Sequence, residues 1–565
     1  MSWKLIDPPQ DPDKIRKLSG SLNISPLLAS LLVQRGYDSA QKITSFLNPG
    51  LSLLSPLHEW PGVMAGARLL SESILKKHKI AVWGDYDVDG ITATALIKDF
   101  FRRKGLHVNH YIPDRIEEGY GLNHKAVKNL AAEGIKTLVT VDCGISDFSE
   151  IRLAKELGMQ VIITDHHLPD KTLPEADVLI NPRCADCPCP ELAGVGVAFL
   201  LMAALNREMD EPQLDIRDFL DLVALGSIAD MVRLTGQNRV LVKNGLLLIK
   251  QPKRLGIQAL KEVSRLGDKK NIGSGNVGFA LGPRINAAGR LGNPETALHL
   301  LLAEDWSSAQ KYASELNRMN GQRQQLESEI LEEARDMARQ KSDRTGLVLF
   351  SPAWHHGVIG IVASRIVDEF HRPCLIFAEK NGLLKGSGRS ISEFDLFAGL
   401  QRIEHIFEGF GGHKMAAGMS LNKEKLEQLE NEFDLLTREV LGDTPRLKKT
   451  TVDARVGFNQ LTPELLDELE IMQPFGPGNA SPVFVSPQLK VRNMKLFGQN
   501  KHISMDLLDE ENKITLRGKI WRQGEELGKT DLSGRNVVVA YRPQKETYNG
   551  LTSINLNINE ILEIK

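Results

Sequence analysis

From Lys79 to Ile180 the chain alternates between short apolar runs and longer mixed stretches. The runs are KIAVWG (79–84), HVNHYI (107–112), TLVTV (137–141), QVIIT (160–164) and DVLI (177–180). Among the stretches between them, TATALIKDFFRRKG and DFSEIRLAKELG read as helices. Strands separated by helices of that length predict βαβ units and a parallel sheet. Strands buried on both faces of such a sheet need no polar alternation, and these show little.

Beyond this region the pattern changes three times. A polar helical tract runs from Trp306 to Lys341, too polar for a core and suited to a connector. A second α/β stretch runs from TGLVLF to about Leu441. From Thr451 the chain is strand-rich, with VFVSPQLKVRNMKLF, NVVVAY and SINLNINEIL separated by turn residues, as a small barrel of the OB type requires. The first 60 residues read as a helical lead-in punctuated by NPG and SPLHEWPG. The expected architecture is α/β: a parallel-sheet domain over 61–240 and a helical region and connector over 241–342. A second α/β domain over 343–448 and an OB-like β-barrel over 449–565 complete it.

Composition narrows the class. At 565 residues, with 42% hydrophobic and 25% charged positions, the chain reads as a soluble globular protein of several domains. No run of about 18 apolar residues and no signal-like N-terminus occurs, and five cysteines make no disulfide framework, so a cytoplasmic location is expected. Cys184, Cys187 and Cys189 lie close together in CADCPCP, but a zinc site there lacks a local fourth ligand, and a metal-free loop is the other reading. A net charge of −2 argues against a uniformly basic nucleic-acid binder and leaves room for a local basic groove.

The candidate chemistry sits where the apolar runs end. Asp85, Asp87 and Asp89 follow the first, Asp114 and Arg115 the second and Asp142 the third. Asp165, His166 and His167 follow the fourth, and Asp230 closes the apolar stretch LVALGSIADMV. Each acid alone could be a helix cap or turn former, and the two histidines could be solvated. Ligands of open parallel sheets gather beyond the carboxyl ends of the strands, however. Five or more carboxylates converging on one rim repel each other unless cations intervene. Carboxylates with imidazole suit manganese or magnesium, and two such ions sharing a bridging Asp favour phosphodiester or pyrophosphate hydrolysis.

The ordered motifs GDYDVDG, VDCG, DHH (165–167), GSIAD, GSGRS (386–390) and GGHKMAAG (411–418) resemble the DHH phosphoesterases. YIPDR, LAGVGVAF, PRINAAGR and the β-rich C-terminus resemble most the branch of exonucleases specific for single-stranded DNA. The likeness covers roughly residues 50 to 565 and implies 5′-to-3′ hydrolysis releasing 5′-mononucleotides in DNA repair and recombination. It implies two Mn2+ or Mg2+ ions held by Asp87, Asp89, Asp142, His166 and Asp230, with Asp85 as a ligand or close neighbour. Asp142 would bridge the ions, His167 would face the scissile phosphate, and Asp165 would hold a histidine tautomer. Arg115, Asn286, Arg290, Ser387, Arg389 and His413 would face nucleic-acid phosphates, and Tyr120 would stack on a base. The family often has a histidine where Trp83 stands, so one ligand of the smaller enzymes is missing and weight falls on Asp85.

The resemblance also implies a monomer that meets single-strand-binding protein and a RecQ-type helicase. In the barrel, Lys495, Phe497, Lys501, Arg517, Lys519, Trp521, Arg522, Tyr541 and Arg542 are candidates for strand binding, some of the aromatics being core. An oligoribonuclease or cyclic-dinucleotide phosphodiesterase on the same scaffold, and a noncatalytic replication scaffold, are the alternatives. The first needs no barrel, and the second needs no intact acids.

Overall fold

The computed structural model describes residues 3–7, 11–115, 117–184, 187–209, 213–267, 269, 271–380, 382–443, 450–548 and 551–564. The expected boundary between residues 448 and 449 lies outside them. The chain forms two compact units: Ser55–Val232 with Gly245–Leu447, and Met1–Leu54 with Arg233–Asn244 and Lys448–Lys565. Among the described residues, no helix is long and apolar enough to cross a membrane.

The larger unit opens with the parallel sheet. Its strands are β1 (Lys79–Gly84), β2 (Asn109–Tyr111), β3 (Ile135–Val141), β4 (Gln160–Thr164) and β5 (Val178–Ile180), in spatial order β2-β1-β3-β4-β5 and all parallel. In β1, β3 and β4 nearly every residue is buried, which is why the sequence shows runs rather than alternation. The strand order reverses direction beside β1, so the crevice beyond β1 and β3 is the natural ligand position of such a sheet.

Three helices bring further groups to that crevice. α1 (Val88–Arg103) follows β1, and α2 (Gly194–Glu208) and α3 (Leu220–Ala229) pack against it. α3 is buried all round from Leu220 to Ile228, so its apolar sequence carries no helical period. α4 (Gly282–Leu291) comes next, entered through a π-helical turn at Val277–Leu281.

The polar tract is a single helix, α5 (Trp306–Gln340), and it is more than a connector. A stripe of alanines, larger apolar side chains and a few polar ones (Ala309, Ala313, Leu316, Met319, Ala334 and Ala338 among them) is buried along its length. Its first half packs on α4 and on the helices Leu255–Val263 and Glu295–Leu301. Its last turns enter the core of a second sheet through Ile330, Ala334 and Ala338. That sheet contains β6 (Leu347–Phe350), β7 (Cys374–Lys380), β8 (Leu383–Arg389), β9 (Gly409–His413) and β10 (Ala416–Leu421), in order β9-β10-β8-β7-β6. Only β6 and β7 are parallel, joined by α6 (Ile359–Phe370).

In the smaller unit, β11 (Leu489–Phe497), β12 (His502–Asp509), β13 (Ile514–Ile520), β14 (Asn536–Tyr548) and β15 (Leu551–Ile564) close on themselves. β14 pairs with both β11 and β15, and β15 returns to β13 in parallel, giving a five-stranded barrel of the OB kind. The first 60 residues are not a free lead-in. Leu28, Leu31, Leu32, Ile43 and Phe46 from two N-terminal helices share the barrel's core cluster, and Trp3–Leu5 pairs with Thr450–Val452. Arg239 locks this arrangement, its guanidinium 3.7 Å from the Phe46 ring centre and bonded to the carbonyls of Phe46 and Gln473.

Tyr541, a candidate for strand binding, is instead core: it is fully buried and its hydroxyl donates to the Val456 carbonyl at 2.9 Å. Phe497, His502 and Trp521 form an aromatic cluster at one hairpin end, with Trp521 47% exposed.

Candidate metal centre and phosphate cradle

The acids at the strand ends converge because each is fixed by the backbone it caps. Asp87 starts α1, its Oδ1 accepting from the N–H of Asp89 at 2.8 Å and of Gly90 at 3.2 Å. Gly90 permits this tight turn, since a Cβ there would lie 2.5 Å from the Asp85 nitrogen. Asp89, fully buried, accepts from the N–H groups of Gly194 at 2.7 Å and Val195 at 2.9 Å, and so ties α1 to the start of α2. Asp142 sits just past β3 at φ +62, a left-handed conformation that few non-glycine residues hold without a functional reason.

Asp165 organises the two histidines. Its Oδ1 accepts from the backbone N–H of His166 at 2.7 Å and of His167 at 3.0 Å, and from His167 Nδ1 at 2.8 Å. Burial works against charge on both partners, yet their mutual hydrogen bond prevails. It holds the Asp165 carboxyl below its usual range and raises His167 to about 9. His167 is therefore an imidazolium whose Nδ1–H is anchored. Tyr120 lies against it, the hydroxyl donating to the Asp142 carbonyl at 3.0 Å and standing 3.1 Å from His167 Nδ1. Its ring meets His167 edge-on while about half of the side chain stays exposed, so Tyr120 steadies the histidine whatever else it touches.

His166 is the opposite case. Burial and the neighbouring His167 charge push its pKa down to about 3, so the ring is neutral, and neither nitrogen has a hydrogen-bond partner. Its Nε2 lies 3.1 Å from Asp142 Oδ1, 3.6 Å from Asp230 Oδ2 and 3.8 Å from Asp89 Oδ2. Asp142 Oδ1 and Asp85 Oδ1 are buried acceptors without a donor. Burial, then the neighbouring carboxylates, raise Asp89 to about 7 and Asp230 to about 9, and lift Asp85 and Asp142 well above the carboxylate range. A neutral imidazole and orphaned carboxylate oxygens in one crevice fit divalent metal ions.

The ligand atoms fall into two separate groups, Asp89–His166–Asp230 and Asp85–Asp87–Asp142, each within 4.8 Å, and Asp142 also joins His166 and His167. Trp83 turns away into the apolar cluster against Tyr111, and Asp85 stands with Asp87 and Asp142. Cys184, Cys187 and Cys189 form no disulfide, and among the described residues no metal-ligand group contains them.

The other candidates surround this crevice with positive charge. Arg290, on α4, donates to the Gly357 carbonyl at 3.1 Å, and burial followed by Arg115, Arg323 and Arg389 lowers its pKa to about 9. Arg389 donates to Ser387 Oγ at 3.0 Å and the Gly388 carbonyl at 2.7 Å, and burial and Arg115 lower it too. Arg115 lies over the Tyr86 ring at 5.0 Å. Among the described residues, none of these three arginines has a carboxylate partner. Asn286 is one turn before Arg290, and Gly289 brings α4 against the Tyr86 carbonyl, between Asp85 and Asp87. His413, exposed on β9, is lowered by burial and then by the charge of His167.

Three contributors were not anticipated from the sequence. Asn181 Nδ2 donates to the His167 carbonyl at 2.9 Å, and Arg183 Nε to the His166 carbonyl at 2.7 Å, so the NPR that follows β5 holds the histidine backbone. His356 stacks on His355 at 5.0 Å with its Nε2 buried and unpartnered. The signals were present in NPRC, which follows the run DVLI but carries no acid or imidazole, and in AWHHG, which stands at the end of no recognised apolar run.

A parallel sheet whose switch-point rim gathers carboxylates and an imidazole, opposed by unpaired guanidinium groups, defines a metal-dependent phosphoesterase. Comparison agrees. Residues 79–227 match the DHH family N-terminal domain, 343–439 the DHHA1 domain and 452–560 the RecJ OB domain. The chain is 35% identical to the single-stranded-DNA-specific exonuclease RecJ of Haemophilus influenzae, over 96% of this chain and 97% of that protein. It is 37% identical to the protein of the same name from Bacillus subtilis, over 92% of this chain and 66% of the relative. The crystal structure of RecJ from Thermus thermophilus in complex with Mn2+ matches with a TM-score of 0.85 at 30% identity, covering 100% of this chain and 79% of that one. The same protein in complex with Mg2+ matches at 0.79. The chain belongs to the RecJ family of DHH exonucleases.

Proposed function

We propose that this protein hydrolyses single-stranded DNA from the 5′ end, releasing 5′-mononucleotides, in DNA repair and recombination. One observation carries the reading: within one compact unit and among the described residues, a crevice of carboxylate and imidazole atoms that lack hydrogen-bond partners lies beside three arginines that lack carboxylate partners. The first set takes Mn2+ or Mg2+ and the second takes phosphate.

Asp89, His166 and Asp230 would hold one ion and Asp85, Asp87 and Asp142 the other, with Asp142 between them. Bound cations activate water and screen the phosphoryl oxygens. The protein's own part is orientation and charge. Arg290 and Arg389, already fixed by backbone carbonyls, grip phosphate oxygens in a set place, with Arg115, Asn286, Ser387 and His413 beside them. The His167 imidazolium, anchored through Nδ1 to Asp165, has its other nitrogen free of that bond to hydrogen-bond the reacting phosphate or protonate the leaving oxygen. Asp165, Asn181 and Arg183 fix the histidines from behind.

The barrel would bind the strand further along, through Trp521 and Phe497 with Lys495, Lys501 and Arg522 nearby in sequence. On the family resemblance alone, the protein works as a cytoplasmic monomer and meets single-strand-binding protein and a RecQ-type helicase. No observation here favours a dinucleotide substrate or a noncatalytic scaffold. The reading is tested with 5′- and 3′-labelled oligonucleotides, single- and double-stranded, in manganese, magnesium or chelator. It requires metal-dependent loss of the 5′ label first, from single strands only. Release beginning at the 3′ label, or a blunt duplex digested as fast, would overturn it.

A further inference from the structure

Phe279 is the most exposed large apolar side chain among the described residues, at 89%. A lone surface phenylalanine is ordinary in itself, but the position of this one is not. It lies within the π-helical turn Val277–Leu281 that leads into α4. Pro283 accounts for the turn: it has no N–H to offer the Phe279 carbonyl four residues back, and the Gly282 N–H bonds instead to Val277, five back. The widened turn is held against the end of α3. A Cβ on Gly278 would lie 3.6 Å from Ile228, and one on Gly282 would lie 3.3 Å from Ala229, the residue before Asp230. Met231, next to that metal-ligand candidate, is itself 69% exposed.

The far end of α4 reaches the other side of the metal centre, where Gly289 abuts Tyr86. Asn286 and Arg290 stand one turn apart on α4, and Phe279 lies in the widened turn at its entrance, seven and eleven residues earlier. A strand running along α4 from Arg290 and Asn286 towards its entrance would pass this uncovered aromatic ring where the turn meets the end of α3. From this arrangement we infer that Phe279 is a base-stacking residue, gripping one nucleotide of the single-stranded substrate beside the metal centre. The inference rests on the exonuclease reading above. It adds a specific contact: sequence-independent, made to a base rather than to phosphate, and available only to an unpaired nucleotide.

The test compares wild type, Phe279→Ala and Phe279→Trp on single-stranded oligonucleotides carrying one abasic site, moved stepwise along the strand. With so little of Phe279 buried, the substitutions leave the core untouched. Stacking on a protein aromatic is worth about 1–3 kcal/mol per base, so Phe279→Ala should raise KM for an intact strand roughly 5- to 140-fold, and Phe279→Trp should restore it. One abasic position should cost the wild type a similar factor and cost Phe279→Ala nothing. An unchanged KM in Phe279→Ala, or an abasic penalty equal in both proteins at every position, overturns the inference. Failure of the wild type to degrade any strand would instead overturn the exonuclease reading beneath it.

Discussion

Helices α1 and α3 carry acids at both ends, and the two ends are treated in opposite ways. Away from the metal centre, Asp99 of α1 and Asp221 of α3 both receive Arg254, each at 3.1 Å, with Arg102 and Arg103 also on Asp99. Burial opposes charge on these groups, yet pairing wins: Asp99 stays below the carboxylate range and Arg254 above its own. At the crevice end, Asp89 and Asp230 are buried among other carboxylates and are pushed up, while Arg290 and Arg389 nearby are pushed down. The chain can neutralise buried charge when the purpose is to join helices. Where it leaves both signs uncompensated, the proposed function supplies the missing partners, cations for one set and phosphate for the other.

The largest effect should come from the open cluster. Asp142→Ala should lower kcat by about 10³-fold or more in saturating Mn2+ without loss of fold, since it removes a shared ligand and relieves repulsion. Steady-state kinetics with circular dichroism checks this. Near-native turnover would remove Asp142 from the site.

The closed cluster should respond the other way. Arg254→Ala leaves two buried carboxylates without their shared partner and should destabilise the fold by about 3–5 kcal/mol, with or without metal. Urea denaturation in EDTA and in Mn2+ gives the answer. A loss that appears only with metal would mean the two ends are not the separate devices described here.

Arg389→Ala should cost about 100-fold in kcat/KM on single-stranded DNA while leaving Mn2+ affinity within a few-fold, because in the proposed function it grips phosphate and not the ions. Loss of metal binding in this variant would merge the cationic and anionic sets into one.

Without metal, stability should fall as pH rises. The unfolded chain's carboxyls ionise near about 4, whereas Asp89 and Asp230 hold protons in the folded protein to about 7 and about 9. Between those limits the folded state binds more protons than the unfolded one, so each step up in pH favours unfolding. Asp165, held low, titrates below this window. His166, neutral when folded, opposes the trend only up to the free imidazole value of about 6.5, where the raised carboxyls outnumber it. Melting temperatures in EDTA should decline from pH 5 to pH 9, and saturating Mn2+ should flatten or reverse the decline. A metal-free protein most stable at pH 9 would contradict the assignment.

Trp521→Ala in the barrel should act least, weakening binding of long single strands about fivefold and of short ones hardly at all. Equal losses for both lengths would make the barrel a clamp rather than a second binding site.

Much of this was legible in the chain because parallel strands buried on both faces write themselves as unbroken apolar runs, and their carboxyl ends mark the rim. GDYDVDG, VDCG and DHH thus mark strand ends in the sequence itself. The obscured features have physical causes. LVALGSIA is buried on every side, so neither helical nor strand period survives in it. In α5 the buried stripe mixes alanines with Asn320, Arg323 and Glu327, and only Leu316, Met319 and Ile330 are large and apolar, so a reading tuned to such side chains passes over it. Tyr541 has the composition of a strand-binding aromatic, but the alternation of its strand points it inward. The contact of the N-terminal helices with the barrel joins Ser25 to Glu468, 443 residues apart, and no local pattern reports such a distance.

In the proposed function the open carboxylate–imidazole cluster is completed by divalent cations. Titration of the metal-free protein with Mn2+, followed by calorimetry and by loss of the free-ion electron paramagnetic resonance signal, measures this directly. Two Mn2+ per chain should bind wild type, and Asp142→Ala should lose at least one, while Arg254→Lys, Arg389→Ala and Phe279→Ala retain both. Absence of saturable Mn2+ binding by wild type, or full stoichiometry in Asp142→Ala, would contradict it.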